Sequence, residues 1–388
     1  MKTLHVNLIP RSPIQLGFLL ISLTLVCLGL SPTTRAVDLP PDASHSLFCP
    51  ARYSDEVAVI DPLTDQVVTQ IPVGTFPIRI AMTPNRRKAF VSNGMSASIS
   101  VLDTAAHTNT ATIPVSAWPG ESAITPDGRQ LWVIHQTSII GDPDHSPVEV
   151  INTATNLVIT TVLVPGHWAK DILFTLDGRF AYIANFSNGE VDVIDTATYQ
   201  VTNIPTGAGS RRLCISPAGD RVYVTNNKGD SVSAIDTATK QVIATIPLGQ
   251  GPEGIGITPN GEEVYATNQG DGTVSVIDTT TLTVIATIPT GNLPQRVVFT
   301  RDGTKAFVEN GFSDTVSAIN TATHTVTATL PTGHNPFTML ASRDDMKLYV
   351  CNAKPSETTV TVIDIPSLTV SDTIANVGLA PFELAFGR

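Results

Sequence analysis

Charge is sparse in this chain, and positive charge is sparser still. Lys and Arg number 23 against 34 Asp and Glu, for a formal net charge of −11 over 388 residues. An acidic surface repels phosphate backbones and no basic tract offsets it, which excludes nucleic acid as a partner. Cysteine is rare and scattered, at Cys27, Cys49, Cys214 and Cys351, so there is no disulfide framework and no Cys-x-x-Cys-His for covalent haem. No Gly-rich phosphate loop, His-Glu-x-x-His or Gly-x-Ser-x-Gly occurs, which removes common signatures of nucleotide binding, zinc peptidase and serine hydrolase chemistry. Helical periodicity of useful length is missing throughout. The longest apolar run, residues 16–30, falls short of the ~20 residues that a spanning helix wants.

That run has a different reading. It follows Lys2 and Arg11 and precedes Thr-Arg-Ala at 34–36, with no acidic residue among the first 36. A basic start, an apolar stretch and a small-x-small site are the features of a secretory signal peptide. The expectation is therefore a signal peptide over 1–36, a linker over 37–45 and one domain over 46–388. The chain would be exported to a periplasm, a cell surface or the medium. Loss of Lys2, Arg11 and Arg35 with the peptide takes the net charge from −11 to −14. Of the three remaining cysteines, Cys49 and Cys351 fall in neighbouring repeats but one register step apart, hence on opposite sheet faces. Buried free thiols are expected, not a bridge.

What the sequence does contain is a repeat. An Asp or Asn closes a β-branched run and opens a turn at Asp61, Asp103, Asn152, Asp195, Asp236, Asp278, Asn320 and Asp364, in steps of about 42 residues with one longer step. Residues 205–246 show one unit whole: an apolar strand to Ser216, a Pro-Ala-Gly-Asp turn, a strand over 222–226, a loop, a strand over 232–235, an Asp-Thr-Ala-Thr turn and a last strand. A twisted four-stranded meander of this size cannot bury both faces alone. Repetition of it predicts an all-β propeller of four-stranded antiparallel blades, eight by the repeat count, with seven as the alternative. The first repeat begins at its second strand, and the chain's last residues supply only a first strand. Residues 382–386 are thus expected to pair beside residues 47–51 and close the ring.

Val-Tyr-Val-Thr-Asn at 222–226, Val-Tyr-Ala-Thr-Asn at 264–268 and Val-Ile-Asp-Thr-Ala-Thr at 193–198 resemble the YVTN family of β-propeller repeats, over essentially all of 46–388. The resemblance implies kinship with surface-layer proteins and exported propellers of unassigned activity, and more distantly by fold with lactonases and the haem d1 domain of nitrite reductase. Fold kinship of that distance carries no chemistry.

Two candidate sites follow from where the repeat is broken. Blade 3 carries an insertion over 138–147 and has His135 where most second strands end in Asn, and its link to blade 4 holds His167 and Trp168. His135, Asp142, Asp144, His145 and His167 offer nitrogen and oxygen ligands for a divalent metal. The second site is a column two residues past the usual Pro of each first strand: Glu383, Arg79, Glu121, Asp171, Arg212, Gly254, Arg296 and Thr338 for blades 1 to 8. Such a ring at a channel mouth suits either a structural set of ion pairs or a polar ligand held by Arg79, Arg212 and Arg296. Trp168 would stand beside it. The expected role is noncatalytic: binding, protein–protein interaction or surface display, with a protein, glycan or small polar ligand as partner. The alternative is a hydrolase or lactonase-like enzyme, metal-assisted, at the blade 3 and 4 loops. The sequence leaves the cofactor unidentified, with a divalent metal the one candidate it offers.

Overall fold

The computed structural model describes residues 46–135 and 144–387. The expected signal peptide, the linker and Asp142 lie outside them. Within the described residues the β-branched runs form eight antiparallel sheets of four strands each. Blades 2 to 8 span residues 77–114, 119–165, 169–205, 210–247, 252–289, 294–331 and 336–374. Blade 1 is built from Leu47–Ala51, Glu56–Asp61, Gln66–Pro72 and the C-terminal pair Ala385–Phe386. Eight blades, rather than seven, close the ring.

Blade 5 shows why these residues make this shape. Its strands are Ser210–Ile215, Arg221–Asn226, Ser231–Asp236 and Gln241–Pro247. Asp236 accepts hydrogen bonds from the Thr239 N–H at 2.7 Å and its hydroxyl at 2.8 Å, which fixes the turn between the last two strands. At the other end Asn226 Nδ2 donates to Ser231 Oγ (3.1 Å) and Ser233 Oγ (2.9 Å), clamping the loop between strands two and three. Asn93, Asn268, Asn310 and Asn352 make the same clamp in their blades. The two middle strands are buried on both faces, whereas the outermost strand alternates with solvent. Apolar residues therefore fill eight interfaces, each shared by two neighbouring blades.

Ring closure follows the expectation with one difference. Leu47 pairs with Phe386 and Phe48 with Ala385, and a separate bridge joins Ala51 to Pro381. The ladder is interrupted between these points, although the Phe382 N–H still donates to Pro50 O at 3.1 Å. The gap frees Glu383 to turn into the channel.

Cys49 and Cys351 meet, contrary to the separation expected from their register. They do point to opposite faces of their own sheets, but stacked blades meet front to back, so opposite faces are the ones that touch. Both thiols are fully buried in the interface of blades 1 and 8, with sulfurs 3.6 Å apart, hydrogen-bonded and not joined by a disulfide. The expected buried free thiols are present; the inferred separation is not. Among the described residues no helix is long and apolar enough to cross a membrane.

Candidate functional site at the channel mouth

The first strands of the blades begin at one end of the central channel, and the column predicted there converges. Glu121, Asp171, Arg212, Gly254, Arg296 and Glu383, from six blades, line one cavity of about 300 Å³. Arg79 grips Glu121 in a bidentate pair, Nε to Oε2 and Nη2 to Oε1, both at 2.6 Å, and lies 3.6 Å from Glu383 Oε2. Arg212 Nη1 stands 2.7 Å from the same Glu121 and 3.9 Å from Asp171, and Arg296 Nη1 lies 3.7 Å from Glu383. Thr338 is buried in the blade 8 position of the column. In the blade 6 position a Cβ on Gly254 would fall 1.9 Å from Gln295 O. Only glycine fits there, and it leaves bare backbone in the ring.

These pairs set the charges unevenly. Burial works against ionisation of Glu121, but Arg79 and Arg212 outweigh it and hold the carboxyl well below the usual range. Asp171 has weaker help: burial raises its pKa to about 6 despite Arg212, and Glu121 adds repulsion. Behind the ring, burial raises Glu309 to about 7 although its Oε2 accepts the Arg296 N–H at 2.9 Å; its Oε1 has no partner.

A second cavity, of about 230 Å³, opens above the ring, where Arg52, Arg79, Lys170, Arg211 and Arg212 face a single carboxylate, Glu121. Its remaining wall is Ile78, Phe76, Trp118, Phe337 and Phe382. Phe337 and Phe382 stack with centroids 4.2 Å apart, and the Arg52 guanidinium carbon sits 3.4 Å from the Phe382 centroid. Phe76 meets Trp118 edge-on at 5.5 Å and Tyr53 at 5.3 Å. Arg211 is matched by Glu253 at 2.5 Å. Among the described residues Arg52 and Lys170 have no carboxylate at ion-pairing distance, and Arg52 Nε and Trp118 Nε1 are buried without a hydrogen-bond partner. Burial and the charge of Arg79 lower Arg52 to about 10, and burial with Arg211 and Arg212 lowers Lys170.

Lys170, Arg211 and the aromatic wall were not legible from the column, for a definite reason. The first strands of blades 2 to 8 carry a register shift at their start, as between Ser210 and Leu213 in blade 5. A bulge breaks the in–out alternation, so two consecutive residues, Arg211 and Arg212, both reach the mouth. The signal was present one residue earlier, in Lys170, Arg211 and Glu253. Phe76 and Trp168 each stand just before a first strand at φ 63° and 66°, a left-handed position that Gly209, Gly251, Leu293, Asn335 and Ala380 hold in other blades. The turn is thus part of the repeat, and what differs at blades 2 and 4 is the aromatic side chain it carries.

The residues proposed for a metal are placed differently. His135 is fully buried, with Nε2 3.5 Å from Glu149 Oε2. His167 is exposed and meets the half-exposed Trp168 edge-on at 5.5 Å, while Lys170 Nζ lies 5.7 Å from the Trp168 centroid. His145 opens the third strand of blade 3 and Asp144 directly precedes it, and both have interaction partners. Among the described residues no three His, Cys, Asp or Glu side chains gather as a metal site would require; Asp142 is outside them.

Known proteins resemble this chain mainly in architecture. It is 32% identical over 100 residues to the seven-bladed beta-propeller protein Rv1057 of Mycobacterium tuberculosis, a match covering 24% of this chain and 25% of that protein. The chain thus spans a quarter of the length of the curated relative it matches. Among solved structures, the dihydro-heme d1 dehydrogenase NirN superposes with a TM-score of 0.73 at 14% identity, over 90% of this chain and 76% of that one. The hydrazine synthase of Kuenenia stuttgartiensis gives 0.58 at 23% identity over 74% and 95%. A functionally unknown protein from Desulfotomaculum acetoxidans gives 0.60 at 17% over 89% and 99%. At such identities the likeness is one of fold. In sequence, residues 123–306 match the family described as YNCE-like beta-propeller, and the chain is a β-propeller repeat protein similar to that family across its central blades.

Proposed function

We propose that the chain is an exported, noncatalytic propeller of the YVTN-repeat kind that binds a small polar ligand at the charged mouth of its channel. The observation that carries this reading is the convergence of charged side chains from blades 1, 3, 4, 5 and 7 on one open cavity of about 300 Å³. The ring itself balances Arg79, Arg212 and Arg296 with Glu121, Asp171 and Glu383, and the cations without a carboxylate, Arg52 and Lys170, line the cavity above it. Rigid strands position the groups, and loops frame them. A protein or glycan partner would engage the same face through the exposed Trp168. The acidic chain argues against nucleic acid.

A second reading has one observation in its favour. Asp171, raised to about 6 by burial in the channel, has the poise of a general acid or base, as an enzyme opening esters or lactones would need. One experiment separates the two: a panel of small polar compounds is screened by thermal shift, and each stabilising compound is recovered and checked by NMR. Ligands returned unchanged after long incubation support binding alone, whereas turnover that Asp171→Asn abolishes establishes the enzyme. Export is checked by N-terminal sequencing of the protein from its native cell, expected to begin near Val37.

A further inference from the structure

We infer that the cavity above the ring is a site for a small aromatic carboxylate, an inference that rests on the binding reading above and specifies its ligand. The first argument is charge. Over the whole chain acids outnumber bases by 34 to 23, yet five cationic side chains and one carboxylate line this cavity. Subtracting the matched pairs, Arg79 and Arg212 with Glu121 and Arg211 with Glu253, leaves Arg52 and Lys170 without a counter-ion among the described residues. An anion entering here gains two cations whose charged forms are already disfavoured by burial and by each other's neighbours.

The second argument is unspent hydrogen bonding. Arg52 Nε and Trp118 Nε1 are buried donors with no acceptor, and buried donors left unmade cost about 1–3 kcal/mol. Carboxylate oxygens are acceptors only and match that need, where an ammonium or a second donor would not.

The third argument is shape and surface. The cation-bearing wall is continuous with Phe76, Trp118, Phe337 and Phe382, which present ring faces and edges to any flat apolar body. At about 230 Å³ the space is below the ~300–1,000 Å³ of pockets for larger ligands, so one ring and its carboxylate is the fitting size. The Phe76 amide is tied to Asp55 Oδ1 at 2.9 Å, the tie that Gly251 and Asn335 make in blades 6 and 8, so the repeat's own turn fixes the position of this aromatic ring.

The test uses calorimetric titration of the whole protein with benzoate, and with benzamide, benzylamine, acetate and inorganic phosphate as comparisons. Benzoate is expected to bind, acetate and benzamide each to bind at least about tenfold more weakly, the loss of an apolar contact or of a charge-assisted bond, and benzylamine not to bind. Arg52→Gln and Lys170→Gln should each weaken benzoate by about tenfold or more without changing the melting temperature materially. If Arg52→Gln does not fold, Lys170→Gln, on a half-buried side chain, carries the test alone. Binding of phosphate or benzylamine as tight as benzoate overturns the ligand class and leaves the binding reading standing. Benzoate binding indifferent to both substitutions overturns the site. Absence of binding by all five probes together with a flat thermal-shift panel overturns the inference and the binding reading alike.

Discussion

His135 and Glu149 face each other across the second and third strands of blade 3, with Nε2 and Oε2 3.5 Å apart, in the places that Asn226 and Ser233 hold in blade 5. The clamp that the other blades make with an amide and a hydroxyl is here a buried imidazole and carboxylate. Burial opposes the charge on Glu149, but His135 and the Ser116 N–H, 3.0 Å from Oε1, outweigh it and lower its pKa. His135 therefore reads as structural. We expect His135→Ala to cost about 3 kcal/mol, the usual price of stranding a buried charge, and the double variant His135→Asn with Glu149→Ser to melt near the parent. Thermal melts of the three proteins check this; an undamaged single variant would contradict it.

Asp192 occupies the corresponding place in blade 4 and is fully buried, taking hydrogen bonds from Asn185 and Asn203. Burial raises its pKa to about 7, and Asp171 and Glu309 are raised to about 6 and 7. A carboxyl whose folded pKa exceeds its unfolded value keeps its proton longer in the native state. Stability then falls as pH rises from about 4 to about 7. The protein should melt several degrees higher near pH 5 than near pH 8. Asp192→Ser, which installs the hydroxyl that blades 2, 5, 6 and 7 use, should raise the melt near pH 8 and flatten the dependence. A melt that rises toward pH 8 would count against this account.

Truncation after Ile374 removes Ala385–Phe386 and the bridge at Pro381, opening blade 1 and baring the inner edge of Leu47–Ala51. Loss of cooperative unfolding, or a large drop in its midpoint, is expected by circular dichroism. Unchanged unfolding would mean that the ring does not depend on its closure.

The thiols of Cys49 and Cys351 are sealed in the interface of blades 1 and 8, and burial, then the neighbouring Cys49 sulfur, pushes Cys351 well above its ordinary value. Both should resist a thiol reagent in the native protein and react quickly in denaturant. Mass spectrometry of the alkylated chain counts them, and rapid native labelling would show that this interface opens.

Much of the architecture is legible in the sequence because a propeller states its plan eight times. Turn residues such as Asp236 and clamps such as Asn226 act locally, and repetition averages out the noise. The charged column was legible for the same reason, as a register position. Arg52, Phe76 and Phe382 were not, since they meet only through the ring, across blades 1 and 2 and the C-terminal segment. Lys170 and Arg211 escaped because a bulge cancels the period-two rule that identifies an inward face. Cys49 and Cys351 show a different limit: register gives the face of one sheet, but not which face its neighbour turns toward it.

The pairing of Leu47 with Phe386 also sets an order of events. Blade 1 is made of the domain's earliest and latest residues, so seven blades can form as the chain emerges while the first waits, its inner edge bare, for the last few residues. That final docking joins the most distant contacts in the molecule and is expected to be its slowest step. Until it occurs, Glu383 is absent from the channel mouth. The site proposed at the channel mouth would therefore be complete only once Ala385–Phe386 has docked.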